Sequence, residues 1–102
     1  MKRYQVEVSV AAQEDMEQLH DFLSDIDMRL ADKAIGEIFK GYTFLQTFAQ
    51  SCRLASFNQP GTVYRELIVN FGKSGYLVLF EINDDKTLTI IAVRHQRERG
   101  YH

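Results

Sequence analysis

The stretch "TVYRELIVNFGKSGYLVLFEINDDKTLTIIAVRH", residues 62–95, decides the fold. It holds three runs rich in Val, Ile, Leu and Phe, separated by "GKSG" and "NDDK". Such punctuation joins neighbouring antiparallel strands through short turns, and the spacing predicts a β-meander. The apolar residues fall on both faces of each run. Strands of that kind sit centrally in a sheet, with helices over at least one side.

Upstream of "NQPG", which holds the only proline, Pro60, the pattern is mostly helical. Ala12, Met16, Leu19, Leu23 and Ile26 recur at steps of four and three, the stripe of an amphipathic helix. "SDIDM" offers caps, so a break is expected near Asp25 to Asp27. Ala31, Ala34, Ile35, Ile38, Tyr42 and Leu45 continue the period in a second, longer helix, with Phe39 and Phe48 beside the stripe. A short connection makes the two an antiparallel hairpin. Gly36 and Gly41 weaken that helix, each by roughly 1 kcal/mol against alanine, and one of them would permit close packing. Before the helices, "RYQVEVSV" alternates, with Tyr4, Val6, Val8 and Val10 on one side of a half-buried strand. "CRLASF", from Cys52, reads as a further, weaker strand. The expected fold class is α+β: an N-terminal strand, an antiparallel helical hairpin, then an antiparallel β-meander.

The chain has 102 residues, enough for a single domain, residues 1–102, around one modest core. At 45% hydrophobic and 25% charged residues it has the composition of an ordinary globular protein. No apolar run approaches the roughly 20 residues that span a bilayer, and the opening "MKRYQVEVSV" lacks a signal peptide's continuous apolar block. One cysteine, Cys52, cannot form an internal disulfide. A cytoplasmic location and no membrane partner are the expectations. The net charge of −2 conceals a polarity. Glu14, Asp15, Glu17, Asp21, Asp25 and Asp27 crowd the first helix, at its beginning and on its outer face. Arg94, Arg97 and Arg99 crowd the end, with His95 and His102. Such asymmetry can steer a partner or simply reflect solvated faces.

Few motifs for chemistry appear. Gly72 and Gly75 flank a hairpin turn and form no phosphate loop. His20, His95, His102 and Cys52 are scattered at spacings unsuited to a metal, so no metal or cofactor is expected. No strained serine elbow supports a Ser-His-Asp triad. Cys52 reads as a small buried hydrophobe.

Two polar features stand out. Arg65 alternates onto the face of Val63, Leu67, Val69 and Phe71. Either its stem lies over the core while the guanidinium pairs with a carboxylate, or it binds an anion. At the terminus, alternation puts Arg94 with Leu88, Ile90 and Ala92, and His95 with Thr89, Ile91 and Val93. "QRERGYH" follows. This is either a solvated tail or a cluster able to grip phosphates or move protons.

"REL" before an apolar strand, "FGKSGYLVLFEI" and the closing "IIAVRHQRERGY" together resemble the ParE-type toxins of the ParE/RelE superfamily. "YQVEVSVAAQEDMEQLHDFL" is similar to the family's first strand and helix, so the likeness covers nearly the whole chain. The resemblance implies the toxin of a type II toxin–antitoxin pair, neutralised in a hetero-oligomer by a ParD-like or related antitoxin. For ParE-type members it implies inhibition of DNA gyrase by binding, with Arg65, Arg94, His95, Arg97 and Tyr101 as target contacts and no catalytic residue. For RelE-type members it implies ribosome-dependent cleavage of mRNA, for which Arg65, Arg94, His95 and Tyr101 would form the site. A non-toxic relative is a third reading. Where RelE-type chains often read "YR" entering the penultimate strand, this one has Tyr76-Leu77. A leucine neither stabilises a phosphorane nor transfers a proton. The acidic balance also suits an RNA surface poorly. These departures favour the gyrase-binding expectation.

Overall fold

The computed structural model describes residues 3–56 and 60–96. β1 (Gln5–Val8) leads into α1 (Val10–Ser24) and α2 (Met28–Phe48). A 3-10 turn (Ala49–Ser51) precedes the short β2 (Arg53–Leu54), and β3 (Arg65–Phe71), β4 (Ser74–Ile82) and β5 (Thr87–His95) complete the regular elements among the described residues. The five strands form one sheet in the order β1-β5-β4-β3-β2. β1 runs parallel to β5 and every other pair is antiparallel. The helical hairpin and meander are as expected, and the parallel β1 makes the sheet mixed.

The core lies between one sheet face and the two helices. Phe80, Val78, Leu88 and Ile90 from the sheet and Ile38 and Leu45 from α2 are fully buried. Ala12 of α1 and Ala31, Ala34 of α2 are also without exposure, so the helices approach closely there. Of the two helical glycines, Gly41 permits close packing. A Cβ there would lie 3.1 Å from Val69 Cγ2 and 3.2 Å from Leu67 Cδ2, whereas one at Gly36 would meet nothing within 4 Å.

Several local expectations are revised. Val10 does not extend β1. Ser9 accepts a hydrogen bond from the Ala12 amide at 3.1 Å and caps α1, leaving Val10 71% exposed in the first turn. Ile26 leaves the α1 stripe. The helix is capped at Asp25, α2 opens with Asp27 accepting from the Arg29 amide at 2.9 Å, and Ile26 lies exposed between them. Of the described part of "CRLASF", residues 52–56, Arg53 and Leu54 are strand, and the strand starts no earlier because the Cys52 amide is tied back to the Ala49 carbonyl in the 3-10 turn. Arg53 Nε donates to the buried Glu66 carboxylate at 2.7 Å across the β2–β3 pair. Phe57, Asn58 and Gln59, and hence half of "NQPG", lie outside the described residues.

The consequential revision is in β5. Leu79 pairs with Ala92, but Phe80 pairs with Ile90, so Ile91 is an extra residue in the ladder. A bulge of this kind reverses the side-chain alternation beyond it. Leu88, Ile90, Val93 and His95 therefore share the helix-covered face, and Ala92 and Arg94 share the other. The simple alternation expected from the sequence holds up to Ile90 and fails after it.

Tight turns fix the meander. Phe71 pairs with Ser74 across Gly72-Lys73, and Gly72 has φ of 62°, a conformation glycine adopts without strain. Between β4 and β5, Asp84 Oδ1 accepts from the amides of Lys86 and Thr87, each at 2.8 Å. The Lys86 amide first, then that of Thr87, holds the Asp84 carboxyl below its ordinary range. No helix among the described residues is long and apolar enough to cross a membrane.

Candidate functional site

β1 stops at Val8 while β5 continues to His95, so α1 alone overhangs the end of the sheet. The gap is a groove of about 690 Å³, lined on one side by Asp15, Gln18, Leu19, Phe22 and Leu23, and on the other by Tyr76, Val93, Arg94 and His95. Its helical wall follows from sequence. Asp15, Gln18, Leu19 and Phe22 stand at i, i+3, i+4 and i+7 on one face. Leu23 is buried beneath that wall, while Phe22 is 66% exposed at the rim.

His95 is half-buried and is held from two directions. Its Nε2 lies 3.1 Å from Ser74 Oγ, and its ring meets Tyr76 edge-on at 5.6 Å and 89°. Burial pushes the Tyr76 phenol above its ordinary range. Arg94 is exposed, paired across the sheet with the buried Leu77. Alternation separates these two adjacent side chains and the bulge sets which face each takes: His95 turns under α1, and Arg94 turns to the opposite face and the groove's rim.

Arg65 is elsewhere. It pairs with Phe80, four residues along β4 from Tyr76, the partner of His95. At about 3.3 Å per residue this separates Arg65 from His95 by roughly 13 Å along the strands. Its Nη1 donates to the Cys52 carbonyl at 2.7 Å and to the Gln50 carbonyl at 3.5 Å. The stem does cross the core edge, but the guanidinium meets backbone carbonyls, not the carboxylate expected of it. Arg65 therefore does not converge with Arg94 and His95. Arg97 and Tyr101 lie outside the described residues. Burial raises the Cys52 thiol pKa, and the nearby Arg65 charge only partly opposes this, so Cys52 is a poor nucleophile. Among the described residues no three His, Cys, Asp or Glu side chains gather to hold a metal.

Asp15, Gln18, Phe22, Ser74 and Tyr76 were not anticipated as residues of the site. Asp15 is the least obvious, since the early acids were expected on the outer face of α1. It is half-buried, and its Oδ2 accepts the Val93 amide at 2.9 Å. The same carboxylate acts on Tyr42 of α2. Burial, and then the Asp15 charge, push the Tyr42 phenol up to about 12, and its buried hydroxyl has no hydrogen-bond partner among the described residues.

This gives an alkaline prediction. Below pH ~10 both folded and unfolded chains keep the Tyr42 proton; between there and about 12 only the folded chain does. Stability should accordingly fall as pH rises through that window. Tyr42→Phe should remove part of the fall and leave neutral-pH stability intact, because no hydrogen bond is lost. Urea midpoints at neutral and alkaline pH check this; identical pH profiles for the two chains would contradict it.

Exposed aromatic rings flank α2 on two sides, Phe44 with Phe48 on one and Phe39 on the other. Phe39, Phe44 and Phe48 of α2 are 54%, 42% and 49% exposed, and the Phe44 and Phe48 rings stand 5.0 Å apart. Phe39 packs edge-on against Tyr42 at 5.7 Å.

The fold, a helical hairpin on a mixed sheet, is shared with solved structures. One of them is the chromosomal ParDE toxin–antitoxin system from P. aeruginosa, which the chain matches with a TM-score of 0.70 at 19% identity. The match covers 91% of this chain and 96% of that one. At that identity the likeness shows a common fold. The family model for the ParE toxin of type II toxin–antitoxin systems matches residues 6–100, and the chain belongs to that family. No protein of curated function matches it.

Proposed function

We propose that this toxin arrests growth by binding DNA gyrase through the α1–β5 groove and its rim, without chemistry of its own. A cognate antitoxin of the ParD kind neutralises it in a cytoplasmic hetero-oligomer. The observation that carries the reading is the composition of the groove. Arg94 and His95 stand beside Leu19, Phe22 and Val93, and Leu77 is buried at the position opposite Arg94. A mixed apolar and charged groove is a contact surface. Phosphoryl chemistry instead needs several cations converging on one centre, and Arg65 is held to backbone carbonyls along the sheet. The exposed aromatic rings of α2 offer the antitoxin a helix- or strand-binding surface, with ordering of the segment on contact.

The proximity of Ser74, Tyr76 and His95 favours one competing reading, acid–base cleavage of RNA. The two separate by substitution. Under the contact reading, Arg94→Ala should weaken gyrase inhibition by about tenfold or more, worth about 1.4 kcal/mol. Because Arg94 is exposed, stability should move by less than about 0.5 kcal/mol. His95→Gln should cost only a few-fold. Under the cleavage reading, His95→Gln would abolish toxicity outright. Growth arrest and supercoiling inhibition, measured for both variants, decide between them.

A further inference from the structure

Beyond Ile90 the outer edge of β5 has no strand beside it among the described residues, because β1 ends at Val8 and pairs only as far as Ile90. Unpaired strand edges leave backbone groups to be satisfied by something else. Here two residues of the β1–α1 junction and first helix serve. The Ser9 hydroxyl donates to the Ile91 carbonyl at 3.2 Å, and Asp15 Oδ2 accepts the Val93 amide at 2.9 Å. The bonded positions are two residues apart, as an edge requires. One of them is the extra residue Ile91 itself, and the other lies two residues beyond it. Ser9 is already committed as the cap of α1, so it is fixed relative to the helix.

We propose that Asp15 is a positioning residue: by pinning the Val93 amide it holds the bulge at Ile91, and thereby sets His95 under α1 and Arg94 on the opposite face. The physical reason is that losing the bulge would shift the pairing register by one residue and invert every side chain beyond it. The doublet Ile90-Ile91 permits the bulge, but nothing in β5 itself fastens it there. Ile91 has no glycine or proline beside it, and the residues on either side are apolar. A carboxylate acceptor on a rigid helix supplies the missing specification. The consequence for binding rests on the contact reading above, but the placement of the two side chains does not.

The test uses the whole chain with isotope labelling. In the wild type a scalar coupling across the hydrogen bond should connect the Val93 nitrogen with the Asp15 carboxyl carbon. Its absence overturns the proposal without any variant. In Asp15→Ala the Val93 amide should exchange about tenfold faster or more, and the ring-to-ring contact between His95 and Tyr76 should be lost. Asp15→Asn keeps a carbonyl acceptor and should restore both. A purely structural role would lower the melting temperature of Asp15→Ala and leave the His95–Tyr76 contact intact, which would refute positioning. If Asp15 instead touched the partner through its charge, Asp15→Asn would inhibit gyrase as poorly as Asp15→Ala, which also refutes it. Should the wild type leave gyrase untouched, the contact reading fails, and the coupling, exchange and ring contact still decide the role of Asp15.

Discussion

Phe80→Ala should lower the unfolding free energy by about 3–5 kcal/mol. Phe80 is the largest fully buried side chain, near the middle of β4, flanked across the sheet by Arg65 on β3 and Ile90 on β5. It belongs to the same core as Ile38 and Leu45 of α2, which are themselves fully buried. Truncation removes the transfer free energy of the ring and leaves a void. Little can fill that void, because α2 is already held close where Gly41 meets Val69 and Leu67. Phe80 is also the first residue past the register change, so its loss loosens the platform on which the bulge sits. Urea unfolding should show a lower midpoint at an unchanged slope. A loss below about 1.5 kcal/mol would mean that the core collapses onto the site.

Gly75→Ala should cost about 3 kcal/mol. A Cβ at Gly75 would run into the Val69 carbonyl oxygen and crowd the Val69 carbonyl carbon and Asn70 Cα, at 3.1 and 3.2 Å. These are backbone atoms of the paired strand and cannot swing aside as a side chain would. Relief requires β3 and β4 to part at their hairpin. Ser74 and Tyr76 flank Gly75 and hold His95, so the groove should be damaged together with the fold. Gly36→Ala is the matched control. It lies in α2 with open space around it and should stabilise the protein by about 0.5–1 kcal/mol. Denaturation of the two variants should therefore show shifts of opposite sign. A neutral Gly75→Ala would contradict the packing of the hairpin.

The fold was legible where a local pattern and a breaker coincide. Gly72 and the "NDDK" turn bound the meander strands, and the 3.6-residue stripes of α1 and α2 are long enough to declare themselves. The parallel placement of β1 was not legible, because it joins residues some 80 positions apart through backbone bonds such as that from the Gln5 amide to the Lys86 carbonyl. Val10 was misread because alternation and a helix's first turn both accept an apolar residue there; only Ser9 acting as a cap separates them. In the site, the stretch naming Arg94 and His95 was readable, but their faces were not. The doublet Ile90-Ile91 breaks the alternation of "TLTIIAVRH" and was the one local sign of a bulge. Asp15 looked like one more solvated acid, since its partner is a backbone amide 78 residues away, which leaves no mark in composition or spacing. Arg65 was correctly singled out as anomalous, but its partners are carbonyls of the 3-10 turn and its exit, and no side-chain pattern announces these.

Whether the groove binds a target without chemistry, as proposed above, is decided by purified gyrase mixed with the purified chain, with mRNA 5′ ends mapped in cells expressing the chain without antitoxin. Lost supercoiling with the wild type, recovery with Arg94→Ala, and unaltered mRNA ends are expected. Intact supercoiling together with codon-phased mRNA cuts that vanish in His95→Gln would contradict the proposal.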